Sequence, residues 1–304
     1  MHLFTGSGVA LVTPFNDGRI DYEQLETLIE WHIAHDTDAL IICGTTGESA
    51  TLTKDEKKAL IAFTVEKTKG RLPVIAGTGG NNTSDAIELS LFAEKAGVDG
   101  LLIVTPYYNK CTQSGLIAHY QALADAVNLP IILYNVPART GVNIAPETVY
   151  ALSKHPNIIA LKEASGDISQ VAKVARLCSE DFGIYSGNDD QIVPILSLGG
   201  IGVISVVANV LPKETHDIVE FYRSGKTQSA LALQLNLLNF INTLFIEVNP
   251  IPVKAAMNLM GLQVGSLRLP LTDIEESHRQ VLIREMTALS LLSPAAEQGA
   301  WSCR

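Results

Sequence analysis

Eight short apolar segments, spread over the first two thirds of the chain, constrain the fold more than any other feature. Each is nearly continuous in apolar residues, a pattern typical of strands that are buried on both faces of a parallel sheet. The segments are Gly8–Thr13, Ala39–Cys43, Leu72–Ala76, Gly100–Val104, Pro130–Tyr134, Ile158–Leu161, Phe182–Ser186 and Ile201–Ser205.

Segments with helical spacing lie between these strands. Asp21 is a plausible N-cap for a helix that continues to His35, and Thr53 and Glu56 form a capping box before the next helix. Further helices are predicted over 83–95, 114–126, 146–154 and 169–177. Repeated strand–helix units predict an α/β fold, a (β/α)8 TIM barrel. A dinucleotide-binding sheet is disfavoured because no Gly-x-Gly-x-x-Gly turn follows the first strand.

After Gly225 the strand-like segments stop. Three helices are predicted over 229–248, 253–260 and 273–292, the last beginning at Thr272-Asp273. We therefore predict a catalytic barrel over 1–224 and a small C-terminal helical domain over 225–304, with a frayed tail over 293–304.

Charge and cysteine content limit the partners. The formal net charge is −10, which argues against nucleic acid or an anionic membrane as partner. The four cysteines (Cys43, Cys111, Cys178 and Cys303) show no Cys-x-x-Cys spacing, and the N-terminus has no signal-peptide pattern. His32 and His35 lack a carboxylate partner at metal-ligand spacing. We expect a soluble cytoplasmic protein without metal or cofactor.

Lys162 is the most informative single residue, because it follows the apolar segment Ile158–Leu161 at a predicted strand end. A buried lysine either pairs with a carboxylate or loses its proton, and a neutral amine attacks ketones. Taken alone, this stretch favours an ion pair with Glu163 or Asp167 over an imine-forming lysine.

Other strand ends carry residues suited to an oxo acid, and in such barrels the chemistry lies at this face. Thr45 and Thr46 could hold a carboxylate, Tyr134 could transfer protons, and Arg139 could grip a second carboxylate. The adjacent Tyr107 and Tyr108 follow another strand. The glycines of 199–202 are also compatible with a phosphate-binding site, which is the alternative to an oxo-acid site. The combination predicts class I aldolase chemistry, in which an imine on Lys162 makes a metal unnecessary.

Four motifs resemble the dihydrodipicolinate synthase / N-acetylneuraminate lyase family. They are Gly8–Phe15, Gly44–Thr51, Tyr134–Gly141 and Leu161–Gly166, and the resemblance extends from about Gly8 to Leu271. It favours imine formation at Lys162 over the ion pair. Within the family, Arg139, Phe15 and the Thr45-Thr46 pair favour the synthase branch. For that branch the resemblance implies condensation of pyruvate with L-aspartate-4-semialdehyde in lysine and diaminopimelate biosynthesis.

The resemblance also implies roles for individual residues. Tyr134 would relay protons with Thr45 and with Tyr108, the last from a neighbouring subunit of a homotetramer built from tight dimers. Thr46 would hold the pyruvate carboxylate and Arg139 that of the semialdehyde. Gly187 and Ile204 would line the pocket through their backbone.

Regulation and substrate choice remain open within the family. Residues that match a lysine-binding allosteric site are Ala50, Lys54, Asn81, Asp85 and Tyr107. Inhibited members typically carry histidine at the position of Lys54 and glutamate at that of Asp85, so we expect weak feedback inhibition. Alternatives are an N-acetylneuraminate or 2-keto-3-deoxy sugar acid lyase, and a non-catalytic oxo-acid-binding regulator.

Overall fold

Eight parallel strands form a closed barrel, which confirms the predicted TIM-barrel fold. The computed structural model describes residues 2–292, so the predicted tail over 293–304 lies outside the described residues. In chain order the barrel strands are Gly6–Ala10, Ala39–Ile42, Val74–Gly77, Gly100–Val104, Ile131–Asn135, Ile158–Glu163, Gly183–Ser186 and Gly202–Ser205. Each pairs with the next, and the first pairs with the eighth to close the barrel.

Closure depends on one close backbone approach. Gly6 is the register partner of Gly202 in the pairing of the first and eighth strands. A Cβ atom on Gly202 would lie 2.1 Å from the carbonyl oxygen of Gly6, so only glycine fits there.

The apolar strands are buried on both faces, as their composition predicts. On the fifth strand, Ile132 and Tyr134 belong to a cluster inside the barrel, whereas Ile131 and Leu133 belong to the layer between strands and helices. Inside the barrel, Phe4 stacks on Tyr185 with ring centroids 4.5 Å apart.

Twelve α-helices accompany the strands in the described part of the chain. They are α1 (Tyr22–Ala34), α2 (Lys54–Thr68), α3 (Thr83–Ala96), α4 (Gln113–Ala126), α5 (Pro137–Thr140), α6 (Pro146–Leu152), α7 (Ile168–Leu177), α8 (Ile192–Ser197), α9 (Pro212–Arg223), α10 (Thr227–Thr243), α11 (Ile251–Leu259) and α12 (Glu276–Ala288). Asp21 caps α1, and Thr53 and Glu56 form the predicted capping box of α2. A short antiparallel ribbon pairs Phe15–Asn16 with Arg19–Ile20.

The C-terminal helices pack on the barrel layer. Leu237 of α10, Ala256 of α11 and Leu282 of α12 belong to the same buried cluster as the outer faces of the strands. The division at residues 224 and 225 stays a prediction.

The largest differences from the predicted helix bounds lie in α10 and α12. Helix α10 ends at Thr243 instead of continuing to Val248. Helix α12 begins at Glu276 instead of Asp273, and Glu247 accepts the backbone N–H of its N-cap residue, Glu275. None of the helices within residues 2–292 is long and apolar enough to span a bilayer.

Candidate active site

Lys162 and Tyr134 face each other inside the barrel. They are register partners on the sixth and fifth strands, and the Lys162 Nζ atom lies 4.3 Å from the centroid of the Tyr134 ring. Lys162 is only 5% exposed, yet no carboxylate lies within 4.0 Å of its Nζ among the described residues. A buried amine thus lies beside a phenolic ring inside the barrel.

The two ion pairs considered from the sequence do not form. Glu163 follows Lys162 on the strand and therefore points to the opposite face. Its carboxylate accepts hydrogen bonds from Asn135 Nδ2, Gln170 Nε2 at 3.0 Å and the Ser165 N–H at 2.6 Å. Asp167 instead caps α7. Lys162 thus forms an ion pair with neither residue.

A cavity of about 70 Å³ opens at the carboxyl ends of the strands, where Lys162 and Tyr134 line it. It brings together most of the residues expected to bind substrate: Thr45, Thr46, Arg139 and Gly187. Since these four residues come from three separate segments of the chain, the barrel is what assembles them. A buried amine, hydroxyl groups and a guanidinium in one small cavity suit an oxo acid.

Two of the expected residues lie outside this cavity. Ile204 is fully buried in the inner cluster that also holds Tyr134, and Val206 lines the cavity in its place. Tyr108 is 90% exposed, on a loop where its φ is +71°, a conformation uncommon for residues other than glycine. Their roles stay predictions.

Asn249 is a cavity residue that the sequence did not reveal. It is buried, and its Nδ2 donates to Thr46 Oγ1 at 3.0 Å, while its backbone oxygen accepts from Arg139 at 3.1 Å. The only local signal is the Asn249-Pro250 step, which marks a turn after a helix. The C-terminal segment therefore orients two of the expected binding residues.

A buried ion pair holds the loop that carries Thr45 and Thr46. Lys254 of α11 lies 2.9 Å from Glu48, and both side chains are 1% exposed. Lys254 also donates to the backbone oxygens of Thr13 and Ser266, and the second Glu48 oxygen accepts from the Arg268 N–H. Burial lowers the pKa of Lys254, and the negative charge of Glu48 opposes this lowering.

The residues matched to an allosteric site lie in a separate cleft. Lys54, Asn81, Asp85 and Tyr107 line it together with Glu88, whereas Ala50 lines a neighbouring groove that Tyr107 also borders. Lys54 Nζ lies 2.6 Å from Asp85 and 3.1 Å from Glu88. These contacts raise the pKa of Lys54.

No cluster of three or more histidine, cysteine, aspartate or glutamate residues within 2–292 is arranged to hold a metal ion. His32 is fully buried, and its Nδ1 contacts Thr37 Oγ1 at 2.9 Å. Burial lowers the pKa of His32 to about 3, so it is a neutral core residue.

Known proteins resemble the chain over nearly its whole length. A model of the dihydrodipicolinate synthetase family matches residues 3–289. A 4-hydroxy-tetrahydrodipicolinate synthase of Caldicellulosiruptor saccharolyticus is 60% identical over 283 residues, 93% of this chain and 96% of that protein.

Solved structures agree with this relationship. The chloride-inhibited dihydrodipicolinate synthase of Acinetobacter baumannii, complexed with pyruvate, superposes with a TM-score of 0.92 and 42% identity over 95% of this chain and 99% of that one. The enzyme of Cyanidioschyzon merolae with lysine bound gives a TM-score of 0.94 and 44% identity over 96% of this chain and 100% of that one.

The buried ion pair makes a stability prediction. Lys254→Met leaves Glu48 as an uncompensated buried charge, so we expect the free energy of unfolding to fall by about 3–5 kcal/mol. Glu48→Gln combined with Lys254→Met should recover much of this loss. Thermal unfolding at one protein concentration measures both, with the exposed Lys173→Met as control. A Lys254→Met midpoint equal to that of Lys173→Met would show that the pair contributes nothing.

Proposed function

This chain belongs to the dihydrodipicolinate synthetase family, and we propose that it is a 4-hydroxy-tetrahydrodipicolinate synthase. It condenses pyruvate with L-aspartate-4-semialdehyde in lysine and diaminopimelate biosynthesis. The observation that carries this proposal is the buried Lys162 amine, which faces Tyr134 and has no carboxylate partner within salt-bridge distance among the described residues.

The chemistry follows from the amine. Lys162 attacks the ketone carbon of pyruvate, and loss of water gives an imine. The protonated imine withdraws electrons, so the pyruvate methyl carbon loses a proton and becomes an enamine carbon. That carbon forms a bond to the aldehyde carbon of the second substrate, whose oxygen takes up a proton and becomes a hydroxyl group. The amino group of the semialdehyde then displaces Lys162 from the imine, which closes the ring and releases the enzyme. The imine nitrogen serves as the electron sink, so the proposal includes no cofactor and no metal.

Neighbouring hydroxyl groups carry the protons. Tyr134 acts as general acid and base beside Lys162, with Thr45 as the next group in the relay and Tyr108 as its outer end. Thr46 holds the pyruvate carboxylate, and the hydrogen bond from Asn249 fixes the Thr46 hydroxyl for this purpose. The backbones of Gly187 and Ile204 complete the pocket wall.

Arg139 selects the second substrate. Its guanidinium lines the cavity and is tied to the backbone oxygen of Asn249, which leaves its other donors for a carboxylate. A small aldehyde that carries a carboxylate suits this position better than a neutral sugar chain.

A homotetramer built from tight dimers is part of the proposal. The 90% exposed ring of Tyr108 supports it, because Tyr108 does not line the cavity of its own chain and needs a neighbouring subunit to act in catalysis. A cytoplasmic location is also proposed, since Cys43, Cys111 and Cys178 are free thiols.

The decisive experiment combines imine trapping with a panel of aldehydes. Borohydride in the presence of pyruvate should add a reduced pyruvate adduct to the unmodified protein and none to Lys162→Ala. Turnover should prefer L-aspartate-4-semialdehyde over N-acetylmannosamine and glyceraldehyde. An unchanged adduct on Lys162→Ala would remove Lys162 from its role, and preference for a sugar aldehyde would make the protein a lyase of the same family.

Tyr134→Phe tests the proton relay. We expect kcat to fall by roughly 10²- to 10⁴-fold, the usual range for a lost general acid or base, while the imine still forms. Tyr185→Phe is a matched control, because Tyr185 flanks Lys162 on the other side and its hydroxyl donates to the Phe4 backbone oxygen. Equal losses in the two variants would assign the relay elsewhere.

Feedback by lysine should be weak. Asp85 and Glu88 already pair with the chain's own Lys54, so an incoming ammonium group finds these carboxylates occupied and meets a like charge. We expect millimolar lysine to leave most of the activity. Strong inhibition of the unmodified enzyme would contradict this expectation.

A restored allosteric pattern provides the positive test. Lys54→His combined with Asp85→Glu should lower the half-inhibitory lysine concentration by about tenfold or more, which corresponds to about 1.4 kcal/mol of binding free energy. Lys95→His, the same substitution at an exposed site on α3, serves as control.

A further inference from the structure

Asp189 is a buried carboxylate directly behind the cavity wall. It lies just after the seventh barrel strand and is 2% exposed. Its Oδ2 atom accepts the backbone N–H groups of Val206 at 3.0 Å and Val207 at 3.2 Å. Its Oδ1 atom is also buried and has no hydrogen-bond donor within range among the described residues. An unpaired buried carboxylate oxygen is costly and calls for a physical explanation.

The surroundings of Asp189 connect it to the proposed imine site. Gly187 and Asn188, which precede it, and Val206, whose N–H it accepts, all line the cavity together with Lys162. Burial raises the pKa of the Asp189 carboxyl. The Ser205 hydroxyl and the N–H groups of Val207 and Val206 oppose this rise, and the charge of Lys162 opposes it to a smaller extent. A positive charge on Lys162 therefore favours the ionised form of Asp189.

No other group in the described part of the chain is placed to balance a charge on Lys162. Tyr134 and Tyr185 flank it in register, and burial raises the pKa of Tyr185. Arg139 is itself a cation in the same cavity. Glu163 points away, and neutral donors satisfy its oxygens.

We propose that Asp189 is a positioning residue whose carboxylate balances the positive charge of the protonated imine on Lys162 from behind the cavity wall. The inference rests on the proposed imine chemistry and adds to it the group that stabilises its charged intermediate. Asp189 touches neither substrate. It acts on Lys162 through its charge and on the wall through the N–H groups of Val206 and Val207.

The proposal fixes the sign of a pH effect. An ionised Asp189 favours both cationic forms, the ammonium of the free enzyme and the protonated imine. Without its charge, Lys162 becomes a neutral amine at lower pH, and the imine loses its proton at lower pH. The acidic limb of kcat/KM for pyruvate and the alkaline limb of kcat should both move to lower pH.

Asp189→Asn is the variant of choice, because an asparagine keeps an oxygen for the Val206 and Val207 N–H groups while the charge is removed. We expect both limbs of the pH profiles to move by roughly half to one pH unit, the effect of removing one nearby unit charge from a protein interior. Asp190→Asn is a matched control, since it removes an exposed carboxylate one residue further along. Asp189→Ser, which also keeps an acceptor, replaces Asp189→Asn if that variant does not fold.

Each outcome decides a separate point. If both limbs of the pH profiles move to lower pH in Asp189→Asn but not in Asp190→Asn, the proposal is supported. A lower kcat with unchanged pH profiles in Asp189→Asn would show a purely structural role. Equal shifts of the pH profiles in both variants would show a general charge effect. Either result overturns the proposal. Borohydride trapping of the pyruvate imine on the unmodified protein is run alongside. Its absence would refute the proposed function itself, whereas a trapped imine with unmoved limbs refutes only the role of Asp189.

Discussion

The alternation of side chains along the sixth barrel strand is the constraint on which the rest of the site depends. It sends Lys162 into the barrel beside Tyr134 and Glu163 out into the layer between strands and helices. Two adjacent residues of opposite charge would otherwise neutralise each other. Because Asn135 and Gln170 satisfy Glu163 with neutral amide donors, the lysine stays out of an ion pair and the carboxylate is not left without partners.

The C-terminal segment supplies side chains that hold the loop carrying Thr45 and Thr46 in place. Loops at the mouth of a barrel are its least constrained parts, yet the proposed imine chemistry needs the hydroxyls of Thr45 and Thr46 at fixed positions. Lys254 pairs with Glu48 below the loop, and Asn249 donates to Thr46 at its surface. A buried ion pair adds little net stability compared with apolar packing, so its value here lies in orientation.

The barrel was predictable because each strand is apolar on both faces, a signal that is local in the sequence. Lys162 and Tyr134 were predictable for a related reason, since each ends such a strand. Asn249 and Lys254 were not, because their partners lie 203 and 206 residues away and nothing near them in sequence marks the contact. Helix α10 likewise ends where tertiary contacts of the following turn outweigh local helix preference.

The distribution of charge around the cavity reconciles an acidic chain with anionic substrates. The formal net charge of −10 repels carboxylates at long range, so attraction has to be local. Cationic Arg139 and the Lys162 amine line the cavity, whereas Glu163 and Asp189 lie behind its wall. A substrate carboxylate thus meets donors at contact distance. In the proposed mechanism Asp189 acts on the lysine from behind this wall, where its charge stabilises a cation without competing for the space that the substrate fills.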